Sequence, residues 1–181
     1  DIDLLLNQAK RCSEILKKIS TSKIEDDKFI SEVTVQNLLT EIKRSFQETS
    51  EKTITLNFDK AKKAILINRS VELTYGIRNF IGNALKFSKS EVKINLNTDS
   101  KHVKISISDD GPGFPEDISE KIGQPYIKTR SEDVSSKSGL GLGTFIGKTL
   151  LERKKASLAF SNLKKGGALV TITWNASDII I

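Results

Sequence analysis

The sequence is poor in the residues that form disulfides and soft metal sites. Its 181 residues include one cysteine, one histidine and no methionine. A single cysteine excludes an internal disulfide, and one cysteine with one histidine leaves too few ligands for a thiolate or imidazole metal cluster. Because methionine is absent even from position 1, we expect the sequence to be part of a longer protein.

Long hydrophobic runs are also absent. No apolar run reaches the roughly 20 residues that span a bilayer, and no signal peptide is recognisable. The composition, 37% hydrophobic and 29% charged, is typical of a globular domain with a sizeable core and an appendage. The net charge of +6 fits an anionic ligand or an acidic partner, but a solvated basic surface is the better interpretation. Scattered lysines and few aromatics argue against nucleic acid.

The beginning of the sequence predicts a helix with a heptad seam. Apolar side chains recur at alternating steps of three and four positions, at Ile2, Leu5, Ala9, Cys12, Leu16 and Ile19. One helix cannot bury this stripe alone, so we expect partner helices from an upstream segment or from a second subunit. Residues 23–29 predict a linker, and residues 30–176 predict the main domain.

Strands and helices are mixed along the main domain. Strands are predicted at residues 33–35, 53–58, 91–96, 103–108, 157–161 and 168–174, and helices at residues 36–46, 71–87 and 143–154. The polar residues 116–138 predict a mobile loop. This mixture predicts an α/β protein with a two-layer α/β sandwich.

The helix predicted at residues 71–87 carries a polar face. Asn79, Asn83 and Lys86 follow one another at spacings of four and three, which places them on the same side of a helix. Two carboxamides and an ammonium can bind Mg²⁺ and phosphate oxygens. On a single helix, the same pattern also fits an ordinary solvated face.

Two glycine-containing segments follow this helix. Asp109 ends an apolar strand, and Gly111 and Gly113 come directly after it. A carboxylate there can accept a hydrogen bond from an amino group such as that of adenine, while an ordinary Asp-Gly turn is the alternative. Further along, a run from Gly139 to Gly143 precedes a helix, where bare backbone and unpaired N–H groups can approach a phosphate. Taken alone, that run also fits an ordinary turn.

Together, these segments resemble the ATP-binding module of the superfamily of gyrase, Hsp90, histidine kinases and MutL. Residues 79–87 are similar to its N box, residues 109–113 to its first glycine box, and residues 139–143 to its second. The resemblance implies the Bergerat-type sandwich, with ATP and Mg²⁺ as its ligands. It also implies that residues 121–138 form an ATP lid.

The resemblance implies a role for each matching residue. Asn83 is expected to bind Mg²⁺, Asp109 the adenine amino group and Phe87 the region of the base, with Asn79 and Lys86 near the phosphates. Further nucleotide contacts are expected from Gly111, Gly113, Tyr126, Lys128, Arg130, Gly139, Gly141, Gly143 and Thr144. Tyr126 occupies the position of the phenylalanine that is usual in the aromatic box of the kinase lid.

One position favours phosphate transfer over hydrolysis. The gyrase, Hsp90 and MutL ATPases carry a glutamate one turn before the magnesium asparagine, where it activates water. Here Asn79 occupies that position, which favours a protein-histidine kinase with Asn79 and Lys86 as catalytic residues. The alternatives are a non-catalytic nucleotide-binding regulatory module and a serine kinase of the anti-sigma type.

Residues 1–22 resemble the second helix of the histidine kinase dimerisation and phosphotransfer bundle, and the sequence is similar to the redox-responsive RegB/PrrB type. This implies a homodimer through that helix, a response regulator as partner, and a cytoplasmic location in a parent anchored in the bacterial inner membrane. The helix with the phosphoacceptor histidine is not in the sequence, so we do not expect autophosphorylation of this chain alone. His102 lacks the acidic neighbour and downstream proline of such a histidine, and is interpreted as a surface strand residue.

Cys12 has two interpretations. The resemblance implies a redox-active thiol whose oxidation would link or lock subunits and inhibit the kinase. Its position in the seam fits equally well a small apolar residue packed inside a bundle. The two interpretations are left open by the sequence.

Overall fold

The structure, a computed structural model, describes residues 32–58, 64–116, 121–124 and 142–181. The predicted helix at residues 1–22, the linker at residues 23–29 and all but the first four residues of the predicted lid lie outside the described residues. In chain order the elements are β1 (Glu32–Thr34), α1 (Val35–Gln47), β2 (Thr53–Phe58), β3 (Leu66–Asn68), α2 (Val71–Phe87), β4 (Glu91–Thr98), β5 (His102–Asp109), α3 (Leu142–Arg153), β6 (Ser157–Asn162), β7 (Ala168–Asn175) and α4 (Ala176–Ile179).

Five strands form one mixed sheet in the order β2-β4-β5-β7-β6. The first pair, β2 with β4, is parallel, and the other neighbours are antiparallel. β6 is therefore an edge strand, although it lies between α3 and β7 in the chain. This order brings the end of β5 beside the start of β7, which is where the candidate site begins.

Side chains alternate between the two faces of a strand, and in this sheet the apolar ones point to the same face. The register places Ile107 of β5 between Ile94 of β4 and Val170 of β7, and all three are buried. Helices α1, α2 and α3 add their own buried side chains to the same core, including Leu39, Phe80 and Leu151. A layer of helices packed on one sheet confirms the predicted two-layer α/β sandwich.

Helices α2 and α3 cross closely at two glycines. A Cβ added to Gly76 of α2 would lie only 2.6 Å from Cγ of Leu151, and one added to Gly147 of α3 would lie 3.1 Å from Cβ of Asn79. Bare backbone at both positions allows the helices to approach one another. The crossing places the first turn of α3 beside the polar face of α2.

The predicted helices and strands agree with the structure to within about two residues at their ends. α2 has the predicted limits, whereas Val35, predicted to end a strand, begins α1 because the Thr34 hydroxyl accepts a hydrogen bond from the backbone N–H of Asn37 (3.1 Å). β3 and α4 were not predicted, because their three and four residues are too few for a periodic pattern. β3 pairs with β1. Among the described residues, no helix has the length and apolar character needed to cross a membrane.

Candidate nucleotide-binding site

The polar face of α2 forms the first part of the site. Ser70 caps the helix by accepting a hydrogen bond from the backbone N–H of Leu73 (3.2 Å), and the buried side chains of the helix point into the core. Asn79 and Asn83 are half-buried and Lys86 is exposed. The Lys86 ammonium lies 5.5 Å from the centre of the Phe87 ring, within the range of a cation–π contact.

The first turn of α3 faces these two asparagines. Nδ2 of Asn83 donates a hydrogen bond to the hydroxyl oxygen of Thr144, 3.1 Å away. A Cβ added to Gly143 would lie 3.6 Å from Oδ1 of Asn83 and 3.8 Å from Oδ1 of Asn79. The structure therefore brings the end of the second glycine box against the N box. Asn83 makes this hydrogen bond with its side-chain nitrogen. Its side-chain oxygen, the type of atom that binds a hard cation, is not used in the contact with Thr144.

The Asp109 carboxylate forms the second part of the site, at the end of β5. The residue is 8% exposed, and its Oδ1 accepts hydrogen bonds from the backbone N–H groups of Gly111 (2.8 Å) and Ala168 (3.3 Å). Burial raises the pKa of Asp109, and these two hydrogen bonds offset part of that rise. A buried carboxylate held by backbone at a strand end is suited to accept a hydrogen bond from a ligand's amino group.

The first glycine box packs against the end of the N box. A Cβ at Gly111 would lie 2.3 Å from the carbonyl oxygen of Phe87, closer than any side chain can approach. Gly113 has φ of +84°, a conformation that glycine adopts at little cost. The backbone geometry thus requires glycine at both positions of this box. Their close packing places Phe87 and Asp109 next to each other.

The hairpin between β6 and β7 completes this side of the site, although no role in the site was predicted for it. Gly166 and Gly167 have φ of +91° and +102°. A Cβ at Gly167 would lie 1.9 Å from the carbonyl oxygen of Asp109. The glycine pair itself was the available signal, but a pair of glycines does not indicate which distant backbone it contacts.

Two further polar residues support the segment between α2 and β4, beside Asp109, and were not predicted. The Asp110 carboxylate accepts hydrogen bonds from the backbone N–H groups of Lys89, Ser90 and Glu91 and from the Ser90 hydroxyl (2.6 to 3.1 Å). The Lys52 ammonium donates to the carbonyl oxygens of Leu85 and Ser88, each 2.6 Å away. The first side chain holds the turn before β4, and the second satisfies carbonyl groups at the end of α2.

Six predicted site residues are not described by the structure, and His102 lies away from the site. Cys12, Tyr126, Lys128, Arg130, Gly139 and Gly141 lie outside the described residues. His102 is at the opposite end of β5 from Asp109, roughly 24 Å away along the strand. It is exposed, with Nδ1 3.5 Å from a carboxylate oxygen of Asp99. Its interpretation as a surface strand residue is confirmed.

Metal binding at this site depends on carboxamide and hydroxyl oxygens. In the ranges that the structure describes, no group of three or more histidine, cysteine, aspartate or glutamate side chains could hold a metal ion. The oxygens of Asn83 and Thr144 suit a hard cation that takes its remaining ligands from water and phosphate, as Mg²⁺ does. The donor set at this site therefore fits Mg²⁺ bound together with a polyphosphate.

Comparisons with known proteins identify relatives of this chain. A family model described as histidine kinase-, DNA gyrase B- and HSP90-like ATPase matches residues 68–178. Sensor histidine kinase RegB of Cereibacter sphaeroides is 30% identical across 100% of this chain and 43% of its own length. Histidine protein kinase SaeS of Staphylococcus aureus is 27% identical across 98% of this chain and 53% of its own length. The chain thus spans about half the length of these curated relatives.

Solved structures show the same fold. Full-length ShkA in complex with AMPPNP superposes with a TM-score of 0.68 at 21% identity, over 83% of this chain and 31% of ShkA. The catalytic domain of histidine kinase ThkA superposes with a TM-score of 0.66 at 20% identity, over 81% of this chain and 97% of that domain. At these identities the likeness establishes the architecture alone.

Proposed function

Because the chain belongs to the histidine kinase-, DNA gyrase B- and HSP90-like ATPase family, we propose that it is the ATP-binding catalytic portion of a two-component sensor histidine kinase. It transfers the γ-phosphate of ATP to a histidine on a bundle helix that lies outside this sequence, for relay to a response regulator. The similarity to RegB and SaeS, both named as histidine kinases, supports this proposal.

The observation that carries the proposal is the side chain of Asn79. Nδ2 of Asn79 donates a hydrogen bond to the carbonyl oxygen of Tyr75 (2.9 Å), one turn earlier in α2. A carboxamide in this arrangement does not remove a proton from water, as the glutamate of the hydrolytic relatives does. A carboxamide instead of a base at this position of α2 favours transfer to a nucleophile supplied by another helix.

Different residues of the cluster contact different parts of ATP. The buried Asp109 carboxylate accepts a hydrogen bond from the adenine amino group, and Phe87 lies beside the base. The first turn of α3, at Gly143 and Thr144, approaches the phosphates with backbone N–H groups, and Lys86 adds positive charge. The Asn83 oxygen would hold Mg²⁺, which would supply positive charge to neutralise the phosphates.

The structure of ShkA in complex with AMPPNP supports a nucleotide in this fold. Isothermal titration of the chain with Mg-ATP tests the assignment. The Asp109→Asn variant should bind ATP at least tenfold more weakly, because its amide presents an N–H group where the adenine amino group needs an acceptor. The matched control is Asp99→Asn, in the β4–β5 turn, which should leave the affinity unchanged. Equal affinities in wild type and Asp109→Asn would reject the assigned site.

Phosphate transfer needs the parent protein with its complete bundle. Incubation of the folded, dimeric parent with ATP labelled at the γ-phosphate should produce an acid-labile phosphohistidine, and Asn79→Ala should reduce its rate of formation. Tight ATP binding without any labelled histidine in the parent would favour a non-catalytic regulatory module. Label on a serine of a partner protein would favour a kinase of the anti-sigma type.

We propose the remaining partners on the resemblance to histidine kinases. The predicted helix at residues 1–22 pairs with that of a second subunit, and the parent is anchored in the bacterial inner membrane. Cys12, in the seam of that helix, is proposed as a redox-active thiol. Measuring the mass of the parent with and without oxidant, in wild type and in Cys12→Ser, tests the thiol. An oxidised dimer that forms equally in both proteins would exclude Cys12 from the switch.

A further inference from the structure

Asn162, the last residue of β6, forms two hydrogen bonds with one residue of the first glycine box loop. Its Oδ1 accepts from the backbone N–H of Phe114 (2.7 Å), and its Nδ2 donates to the carbonyl oxygen of Phe114 (2.9 Å). The side chain thus pairs with the loop as a neighbouring strand would, through one donor and one acceptor. These residues are 48 positions apart in the chain.

The backbone of the loop is shaped around this carboxamide. Gly113 has φ of +84°, and a Cβ there would lie 2.6 Å from Oδ1 of Asn162. Any other residue at that position would be strained and would push the carboxamide away. The glycine conformation and the position of Asn162 therefore depend on one another.

A chain of aromatic contacts connects the same strand to both parts of the site. The ring of Phe114 meets the ring of Phe160 edge-on, with centroids 6.0 Å apart and an interplanar angle of 87°. Phe160 in turn contacts Phe80, also at 6.0 Å, and Phe80 follows Asn79 in α2. β6 therefore contacts the loop after Asp109 and the helix that carries the N box.

We infer that Asn162 is a positioning residue for the adenine side of the nucleotide site, an inference that rests on the proposed function. By holding Phe114 at both its N–H and its carbonyl group, Asn162 keeps the Asp109–Gly113 loop in the conformation that receives the base. The carboxamide does not touch ATP. Its effect is to keep the binding-competent loop populated before ATP arrives.

The expected size of the effect follows from that population. The apparent dissociation constant equals the intrinsic value divided by the competent fraction. Loss of the two hydrogen bonds to Phe114 lowers that fraction by roughly an order of magnitude. Because the Phe114–Phe160 contact and the glycine packing remain, we expect Asn162→Ala to weaken ATP binding by about five- to tenfold.

The first experiment compares two asparagine variants of the whole chain by isothermal titration with Mg-ATP. Asn162→Ala should show the five- to tenfold weaker binding estimated from the competent fraction. Asn175→Ala is the matched control, because Asn175 ends β7 and donates to a carboxylate oxygen of Asp178 (3.1 Å), away from the loop. The control should bind ATP with wild-type affinity. Hydrogen exchange should show lost protection of the Phe114 amide in Asn162→Ala alone.

The second experiment uses the pH dependence of Asn162→Asp, which a general loss of packing would not reproduce. A protonated carboxyl group can accept from the Phe114 N–H and donate to its carbonyl group, as the amide does, whereas a carboxylate can only accept. The ratio of the ATP dissociation constants of variant and wild type should therefore fall as the pH is lowered from 7 to about 4. This ratio cancels the titration of ATP and of Asp109, which both proteins share.

The outcomes separate this inference from the proposed function. Wild-type ATP affinity in a folded Asn162→Ala protein that has lost protection of the Phe114 amide would overturn it, as would a ratio for Asn162→Asp that stays constant with pH. Should Asn162→Ala fail to fold, the pH series in Asn162→Asp still decides the question. Absence of ATP binding by the wild-type chain would instead reject the proposed function, and this inference with it.

Discussion

Nδ2 of Asn83 and the hydroxyl oxygen of Thr144 lie 3.1 Å apart, although 61 positions separate the two residues in the chain. The first belongs to the helix of the N box and the second to the first turn of α3, directly after the second glycine box. Their hydrogen bond joins the proposed magnesium ligand to the region proposed to approach the phosphates. A change at Thr144 should therefore weaken the binding of Mg²⁺ as well as that of ATP.

Thr144→Val should weaken Mg-ATP binding by about three- to tenfold, because it removes the partner that orients the Asn83 carboxamide. Thr144→Ser keeps the hydroxyl group and is the control, expected near wild type. Asn83→Ala should remove most of the difference between ATP affinities measured with Mg²⁺ and with a chelator. Titrations in both buffers check these expectations. An undiminished Mg²⁺ effect in Asn83→Ala would exclude this asparagine as the ligand.

The stability of Asp109→Asn should depend on pH in a defined direction. Burial raises the pKa of Asp109 in the folded protein, so the ionised carboxylate destabilises the apo fold at neutral pH. As pH falls through that raised pKa, the folded wild type takes up a proton and regains stability. Asp109→Asn should thus be as stable as wild type or more stable at pH 7, with an advantage that shrinks toward pH 4. Urea unfolding of both proteins at several pH values measures it.

The contribution of Asp110 to the stability of the fold should show the opposite pH dependence. The Ser90 hydroxyl and the backbone N–H groups of residues 89–91 hold the pKa of Asp110 well below its usual range. This stabilisation is present above the usual aspartate pKa and is lost as pH falls toward the lower folded value. Asp110→Ala should lower the free energy of unfolding by about 1 to 2 kcal/mol at pH 7, with a smaller difference near pH 2.

Ser90→Ala is the companion variant for Asp110, since it removes one of the hydrogen bonds and keeps the carboxylate. Its unfolding free energy should fall by less than that of Asp110→Ala at pH 7. A difference between wild type and Asp110→Ala that stays constant from pH 7 to pH 2 would contradict the role of the carboxylate charge.

Two glycines of α2 should respond oppositely to alanine. At Gly76 a Cβ would overlap the buried Leu151 side chain at 2.6 Å, so Gly76→Ala should destabilise the fold by about 1 to 3 kcal/mol. At Gly82 the nearest atom, in the Phe46 ring, would be at an ordinary 3.5 Å. Gly82→Ala should therefore stabilise the helix by up to about 1 kcal/mol. Thermal unfolding of both variants checks the pair, and a stabilised Gly76→Ala would disprove the close crossing.

Much of the fold could be predicted because its signals are local. The limits of α2 follow from the Ser70 cap and from apolar residues repeating with helical period, and the strands of the sheet follow from alternation. The short elements β3 and α4 carry too few residues for either pattern. The positions of Asn79 and Asn83 on one helix face also follow from spacing alone, whereas the contacts of that face do not.

The residues that support the site were missed for a common reason. Gly167, Asp110 and Lys52 act on backbone atoms that are distant in sequence or belong to another element. Lysine, aspartate and glycine at such positions look the same as surface residues and ordinary turns. Their roles depend on which loop the folded chain places beside them.

The sequence by itself determined the type of most elements, the sandwich architecture and three of the segments that are proposed to bind the nucleotide. Periodicity, helix capping and glycine conformation are properties of a few consecutive residues, so they can be recognised in the sequence alone. The tertiary structure alone decided that Asp109 meets Ala168, that Asn83 meets Thr144 and that Asn162 meets Phe114. Such pairs depend on the strand order β4-β5-β7-β6 and on the α2–α3 crossing, where packing of the shared core brings distant residues together.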